Sequence, residues 1–207
     1  MSRISKEEYL NDPCEASSLP FWKTEQIEIP DNMSILRDDE FDNSGCFGTD
    51  VPYFKMIHNL RDVWHPMFSD EFELTSAGTE EFANHITECY MEEGVTAEEL
   101  EEYVSRDVFD ADLWVALRER TTGKIVASGI GEYDSRIGEG TLEWIQVSPE
   151  YRHKGFGRVI VCELLERLSE EADFVTVSGR IDNISNPFAL YKACGFEHPV
   201  IWHVISK

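Results

Sequence analysis

The order of periodicities along this chain predicts an α/β fold, with a mixed central β-sheet flanked by helices on both faces. Three observations carry that prediction. Two apolar runs, Leu113–Leu117 and Ile125–Ile130, face each other across the turn Thr121-Thr-Gly-Lys124 and read as a hairpin. A third run, Thr141–Val147, leads straight into a helical apolar stripe. From there strand and helix alternate to the last residue, the pattern of a sheet covered by helices.

Taken in order, residues 1 to about 60 read as an irregular N-terminal extension, interrupted by Pro13, Pro20, Pro30 and Pro52. Two short strand candidates inside it, Met33–Leu36 and Tyr53–Ile57, are expected to pack on the main domain, residues 61–207. Between them runs Arg37-Asp-Asp-Glu-Phe-Asp-Asn43, whose spacing does not fit a calcium loop and which reads as a solvated loop. Thr79–Met91 places Phe82, Ile86, Cys89 and Tyr90 on one helix face, and Gly94 stops it. Thr96-Ala-Glu-Glu99 is a capping-box signal that starts a second helix, through Tyr103 and Val104. The helix after the third strand runs from about Gly155 to Ser169, with Phe156, Ile160, Leu164 and Leu168 as its stripe and Val161 and Leu165 beside them. Strand Phe174–Val177 follows. Asn186-Pro187 opens a short helix as N-cap and first helical residue, Gly195 ends it, and Val200–Ile205 is the last strand.

The bulk numbers bound the function. The formal net charge is -23 over 207 residues, which repels nucleic-acid phosphates and anionic lipid and favours cationic ligands such as amines. Solubility alone also accounts for such a charge. Hydrophobic residues make up 42 %, enough for a core. Cys14, Cys46, Cys89, Cys162 and Cys194 are odd in number, widely spaced and without a CxxC pair, so they read as reduced thiols in a cytoplasmic protein, with neither a disulfide framework nor a zinc site. The N-terminus has no signal-peptide core, and no apolar run approaches the roughly 20 residues of a membrane helix. His85 and Cys89 share a helix face, but two ligands do not make a metal site.

The chemical signal is Gln146-Val-Ser-Pro-Glu-Tyr-Arg152-His-Lys-Gly155-Phe-Gly157-Arg158, between an apolar strand and an amphipathic helix. Glycines there let the backbone approach a ligand, and the free N–H groups of a helix start bind phosphate. Arg152, Lys154 and Arg158 concentrate positive charge in an acidic chain. Gly157-Arg158-Val159 lacks the Lys-Ser/Thr of a P-loop, and Ile160 stands where a dinucleotide fingerprint needs its third glycine.

This junction resembles the GNAT acetyltransferases, whose cofactor signature Gln/Arg-x-x-Gly-x-Gly/Ala is matched by Arg152-His-Lys-Gly155-Phe-Gly157. Leu142-Glu-Trp-Ile-Gln-Val-Ser-Pro-Glu-Tyr151 resembles the strand that precedes it in that family. Asn186-Pro-Phe-Ala-Leu-Tyr191-Lys-Ala-Cys-Gly195-Phe196 resembles the family's Leu-Tyr-x-x-x-Gly-Phe helix. The likeness covers about residues 110–207. It implies acetyl-CoA as acyl donor, an amine as acceptor, no metal, and direct attack in a ternary complex; dimers are common in the family. It implies that amides from His153 to Arg158, Phe156 among them, cradle the pyrophosphate, and that the main chain around Ile145, Gln146 and Val147 pairs with the pantetheine arm. An Asn before the last helix commonly touches the same arm, and Asn183 and Asn186 are the two candidates. Tyr191 stands where the family has its acid.

Acetyl transfer needs a neutral amine, although an alkylammonium has a pKa of about 10, so a base must take its proton. Glu143 is the candidate: simple alternation puts Glu143, Ile145 and Val147 on one strand face, where burial raises a carboxyl pKa. Its alternative is an edge charge facing solvent. The alternative for the whole chain is a non-catalytic acyl-CoA-binding or regulatory module on the same fold.

Overall fold

The computed structural model of the chain describes residues 4–42, 48–90 and 94–207. Along it run α1 (Lys6–Asn11), α2 (Pro13–Ala16), α3 (Phe21–Gln26), β1 (Met33–Arg37), β2 (Thr49–His58), β3 (Phe72–Thr75), α4 (Thr79–Cys89), α5 (Ala97–Val104), β4 (Trp114–Glu119), β5 (Ile125–Asp134), β6 (Glu139–Val147), α6 (Phe156–Leu168), β7 (Phe174–Arg180), α7 (Pro187–Ala193) and β8 (Glu197–Ser206). The α/β class is as predicted, and from β4 onward every predicted element is present, most of them lengthened by a few residues. Helices α1 to α3 correct the irregular reading of the first 60 residues, and β3 is an unpredicted strand. Asn43, Cys46 and Met91 lie outside the described residues.

The chain divides into two compact units, residues 60–175 and residues 1–59 with 176–207. Within 60–175 the strand order is β6-β5-β4-β3 with antiparallel pairing throughout. Helix α6 lies on one face. It comes so close that a Cβ at Gly129 of β5 would sit 2.5 Å from Ile160 and 3.0 Å from Leu164. Successive strand residues face opposite ways, so Ile130 points to the other face, where it packs with Phe82 and Ile86 of α4, Leu100 of α5 and Trp114. Helices thus cover both faces of these strands, and the predicted stripe of α6 is buried along its length.

In the other unit β8 lies between β1 and β2 and pairs antiparallel with each. The short helices are set by their caps: the side chain of Ser5 accepts from Glu8 N, and that of Asp12 from Cys14 N and Glu15 N. They are tied down by Lys55 of β2, which is 1 % exposed. Its Nζ donates to Tyr9 Oη at 2.8 Å and to the carbonyls of Ser17 and Leu19 at 3.0 and 2.8 Å. Trp202 Nε1 donates to the Cys14 carbonyl at 3.0 Å.

Candidate functional site

The end of β6 departs from regular alternation. Ser128 of β5 pairs with Gln146, but Ile130 pairs with Glu143, so β6 carries one extra residue between these pairs. Trp144 takes up the distortion with φ +47°. Directly opposed residues share a face. Glu143 and Gln146 therefore share the α4–α5 face with Ile130 and Ser128. Val147, opposite Ala127, takes the α6 face, and so does Ile145, which reaches Gly129. This corrects the expectation that Glu143, Ile145 and Val147 share one face: the bulge inverts the parity after Glu143. Glu143 is half-buried. The distorted stretch is held from the helix side. Tyr90 Oη donates to the Ile145 carbonyl at 3.2 Å, and Trp144 Nε1 donates to Tyr103 Oη at 3.3 Å.

Behind β6 sits a buried polar chain that sequence periodicity did not reveal. His85 of α4, 4 % exposed, has Nδ1 2.8 Å from Ser128 Oγ and Nε2 3.0 Å from Ser148 Oγ. Gln146 Nε2 donates to Ser128 Oγ, and Ser148 Oγ donates to the Ile125 carbonyl at 3.3 Å. These bonds have one consistent direction when Nε2 of His85 carries the proton and Nδ1 accepts. Burial pushes His85 down to about 4, so the ring is neutral at physiological pH, and burial pushes the neighbouring Cys89 thiol up to about 12. His85 is thus a satisfied core histidine, and Cys89 is an inert thiol.

The chain then leaves β6 through the single turn Pro149–Tyr151 and enters the glycine loop. His153 and Gly155 both adopt left-handed conformations, with φ +61° and +87°. Gly155 is the N-cap of α6, and no side chain caps that end. The first N–H groups of the helix, at Phe156 and Gly157, have no acceptor within it. A Cβ at Gly155 would meet nothing within 4 Å, so the space in front of these amides is open.

The three cations of the loop differ from most of the arginines in their partners. Arg37, Arg106, Arg118, Arg120, Lys124, Arg136, Arg167 and Arg180 each pair with a carboxylate. Arg152 instead donates to the carbonyls of Val147 and Cys89 at 3.2 and 2.9 Å, fastening the loop to β6 and to the end of α4. Lys154 Nζ lies 4.5 Å over the Tyr151 ring, and the Arg158 guanidinium lies 3.8 Å over the Trp64 ring. Among the described residues these loop cations are held by carbonyls and rings, so positive charge gathers at the helix start, where an anion is favoured. A cavity of about 410 Å³ opens against Lys154, Gly155 and Arg158 and is also lined by Trp64, Met67 and Phe68.

The remaining candidates belong to the other unit. Tyr191, 5 % exposed, packs its ring against Phe196 and Phe54 with centroids 5.5 and 6.1 Å apart. Asn186 Oδ1 caps α7 by accepting from Ala189 N at 3.2 Å. Asn183 Oδ1 accepts from Ser185 N and Oγ at 2.9 and 2.7 Å. Both side-chain carbonyls are thus engaged locally. Among the described residues, one group of His, Cys, Asp or Glu side chains, Asp12, Glu15 and His198, brings three ligand atoms within reach of each other. There His198 Nε2 lies 2.9 Å from Asp12 Oδ2, and Arg37 is 3.5 Å from Glu15. No helix among the described residues is long and apolar enough to cross a membrane.

Comparison with known proteins bears on this geometry. Residues 110–198 match the family model described as an acetyltransferase (GNAT) domain. No curated protein matches the sequence. A GCN5-related N-acetyltransferase from Sphaerobacter thermophilus superposes with a TM-score of 0.62 at 18 % identity, over 77 % of this chain and 53 % of that one. An acetyltransferase of the GNAT family from Colwellia psychrerythraea gives 0.60 at 14 % identity, over 84 % and 65 %. The ribosomal-protein-S18-alanine N-acetyltransferase from Escherichia coli gives 0.51 at 18 % identity, over 66 % and 95 %. At these identities the likeness is one of fold, and the chain spans about half the length of the first of these structures.

Proposed function

We propose that this chain, whose residues 110–198 form a GNAT acetyltransferase domain, transfers an acetyl group from acetyl-CoA to a primary amine. One observation carries the reading: the uncapped start of α6 opens behind a left-handed Gly155, among three loop cations that pair with no carboxylate among the described residues. Amides from His153 to Gly157 bind the pyrophosphate, that of Arg158 being taken by the Gly155 carbonyl at 3.0 Å, and Arg152 holds the loop to β6 in the shape that presents them. The main chain of Ile145, Gln146 and Val147 takes the pantetheine arm, with the NH₂ of Asn183 or Asn186 as a further donor.

Chemically, the neutral amine attacks the thioester carbonyl carbon, the C–S bond breaks, the amine nitrogen loses a proton and the thiolate gains one. Glu143, half-buried beside the bulge, takes the proton from the amine directly or through water. Tyr191 supplies the proton to the leaving thiolate, by its place in the Leu-Tyr-x-x-x-Gly-Phe helix. In solution the acceptor is an ammonium, cationic until it loses the proton that makes it the neutral nucleophile, which suits a chain of net charge -23.

The test is a thermal melt with and without acetyl-CoA, followed by turnover across a panel of amines. A ligand that binds only the native state raises the melting temperature, by an amount set by its concentration over Kd. Absence of any shift, and of any heat with acyl thioesters of coenzyme A, removes the proposal. A shift without turnover of any amine leaves an acyl-CoA-binding module instead.

A further inference from the structure

The acetyl-CoA reading accounts for the loop but leaves the cavity beside it unused. Coenzyme A extends beyond its pyrophosphate into an adenosine that carries a 3′-phosphate, a flat ring system joined to a dianion. Within residues 60–175 the cavity of about 410 Å³ borders the loop at Lys154, Gly155 and Arg158. It is also lined by Trp64, 47 % exposed, and Met67, 97 % exposed, apolar surface that a charged chain rarely leaves in water. No residue lining it is acidic, although the chain has 41 Asp and Glu. The Arg158 guanidinium covers one face of the Trp64 ring at 3.8 Å and fixes the indole, while Arg158 Nε is buried without a hydrogen-bond partner.

Resting on the acetyl-CoA reading, we propose that Trp64 is the platform on which the adenine of acetyl-CoA stacks, with Arg158 and Lys154 meeting the 3′-phosphate. Trp64 is then a specificity-determining residue that makes the protein prefer the whole coenzyme to its pantetheine fragment. Aromatic stacking on a base is strong enough to carry such a preference.

Calorimetry on the full chain tests this with acetyl-CoA, S-acetyl-pantetheine and adenosine 3′,5′-bisphosphate. Trp64→Ala is expected to weaken acetyl-CoA about tenfold, to weaken the bisphosphate similarly and to leave S-acetyl-pantetheine unchanged. Trp64→Phe, which keeps a ring, is expected to recover most of the loss, an outcome a merely structural tryptophan does not give. If the variant weakens acetyl-CoA and S-acetyl-pantetheine equally, or neither, the assignment of Trp64 is overturned while the acetyltransferase reading stands. If the unaltered protein binds none of the three, both readings fall.

Discussion

Gly155 shows how a single residue sets the loop. A side chain there would meet no protein atom, so the barrier to substitution is its φ of +87°, and the added atoms would fill the open space at the loop. Gly155→Val should cost about 1 kcal/mol of stability from the left-handed conformation, and should abolish the melting-temperature rise with acetyl-CoA. A retained shift would show that the amides are not the binding surface. Tyr191→Phe should lower kcat well before it changes acetyl-CoA affinity, as steady-state kinetics beside calorimetry will show.

Two histidines should shape the pH dependence of stability in opposite directions. Burial holds His85 down at about 4, below its unfolded value of 6.5. Its contribution is therefore complete above pH 6.5 and is lost as pH falls from there toward 4. At His203 burial opposes the charge, but hydrogen bonds to Asp50 and Asp38, at 2.9 and 3.1 Å, outweigh it and raise the pKa. Its contribution is present below pH 6.5 and is lost as pH rises through the folded value. Urea midpoints from pH 4 to 8 should flatten on the acid side in His85→Gln and on the alkaline side in His203→Gln.

Among the elements, the fit of α6 against β5 depends on glycine. A Cβ at Gly129 would press on Ile160 and Ile145, so Gly129→Val should cost about 1–3 kcal/mol by overpacking, read as a drop in the urea midpoint. The stripe of α6, the capping box at Thr96 and the Asn186-Pro187 start of α7 were legible because each is written within a few consecutive residues. Ser5 and Asp12-Pro13 carry the same kind of signal for α1 and α2, but four to six residues are too few to show a stripe. The four residues of β3 show only a short alternation. The bulge in β6 has no local mark, since an aromatic residue gives no warning of a φ of +47°.

For the molecule as a whole, net charge and chain ends matter most. With a net charge of -23, kcat/KM for a cationic amine should fall as ionic strength rises, and kcat should change less. A salt-independent kcat/KM would assign the charge to solubility. β8 lies between β1 and β2, so cutting the chain at residue 60 strips both strands from it. A 60–207 fragment should therefore aggregate or melt without cooperativity. A soluble, cooperatively folded fragment would show instead that residues 1–59 are dispensable to the fold.

The sequence by itself determined the α/β class, the elements from β4 to β8 to within a few residues, and the loop Arg152–Arg158, because periodicity, caps and glycine motifs act over short stretches of chain. Tertiary structure alone decided which way Glu143 faces, that His85 is a buried neutral link between Ser128 and Ser148, and that Trp64 stands over Arg158. Each of these depends on contacts between residues tens of positions apart, and on strand register, which one extra residue inverts.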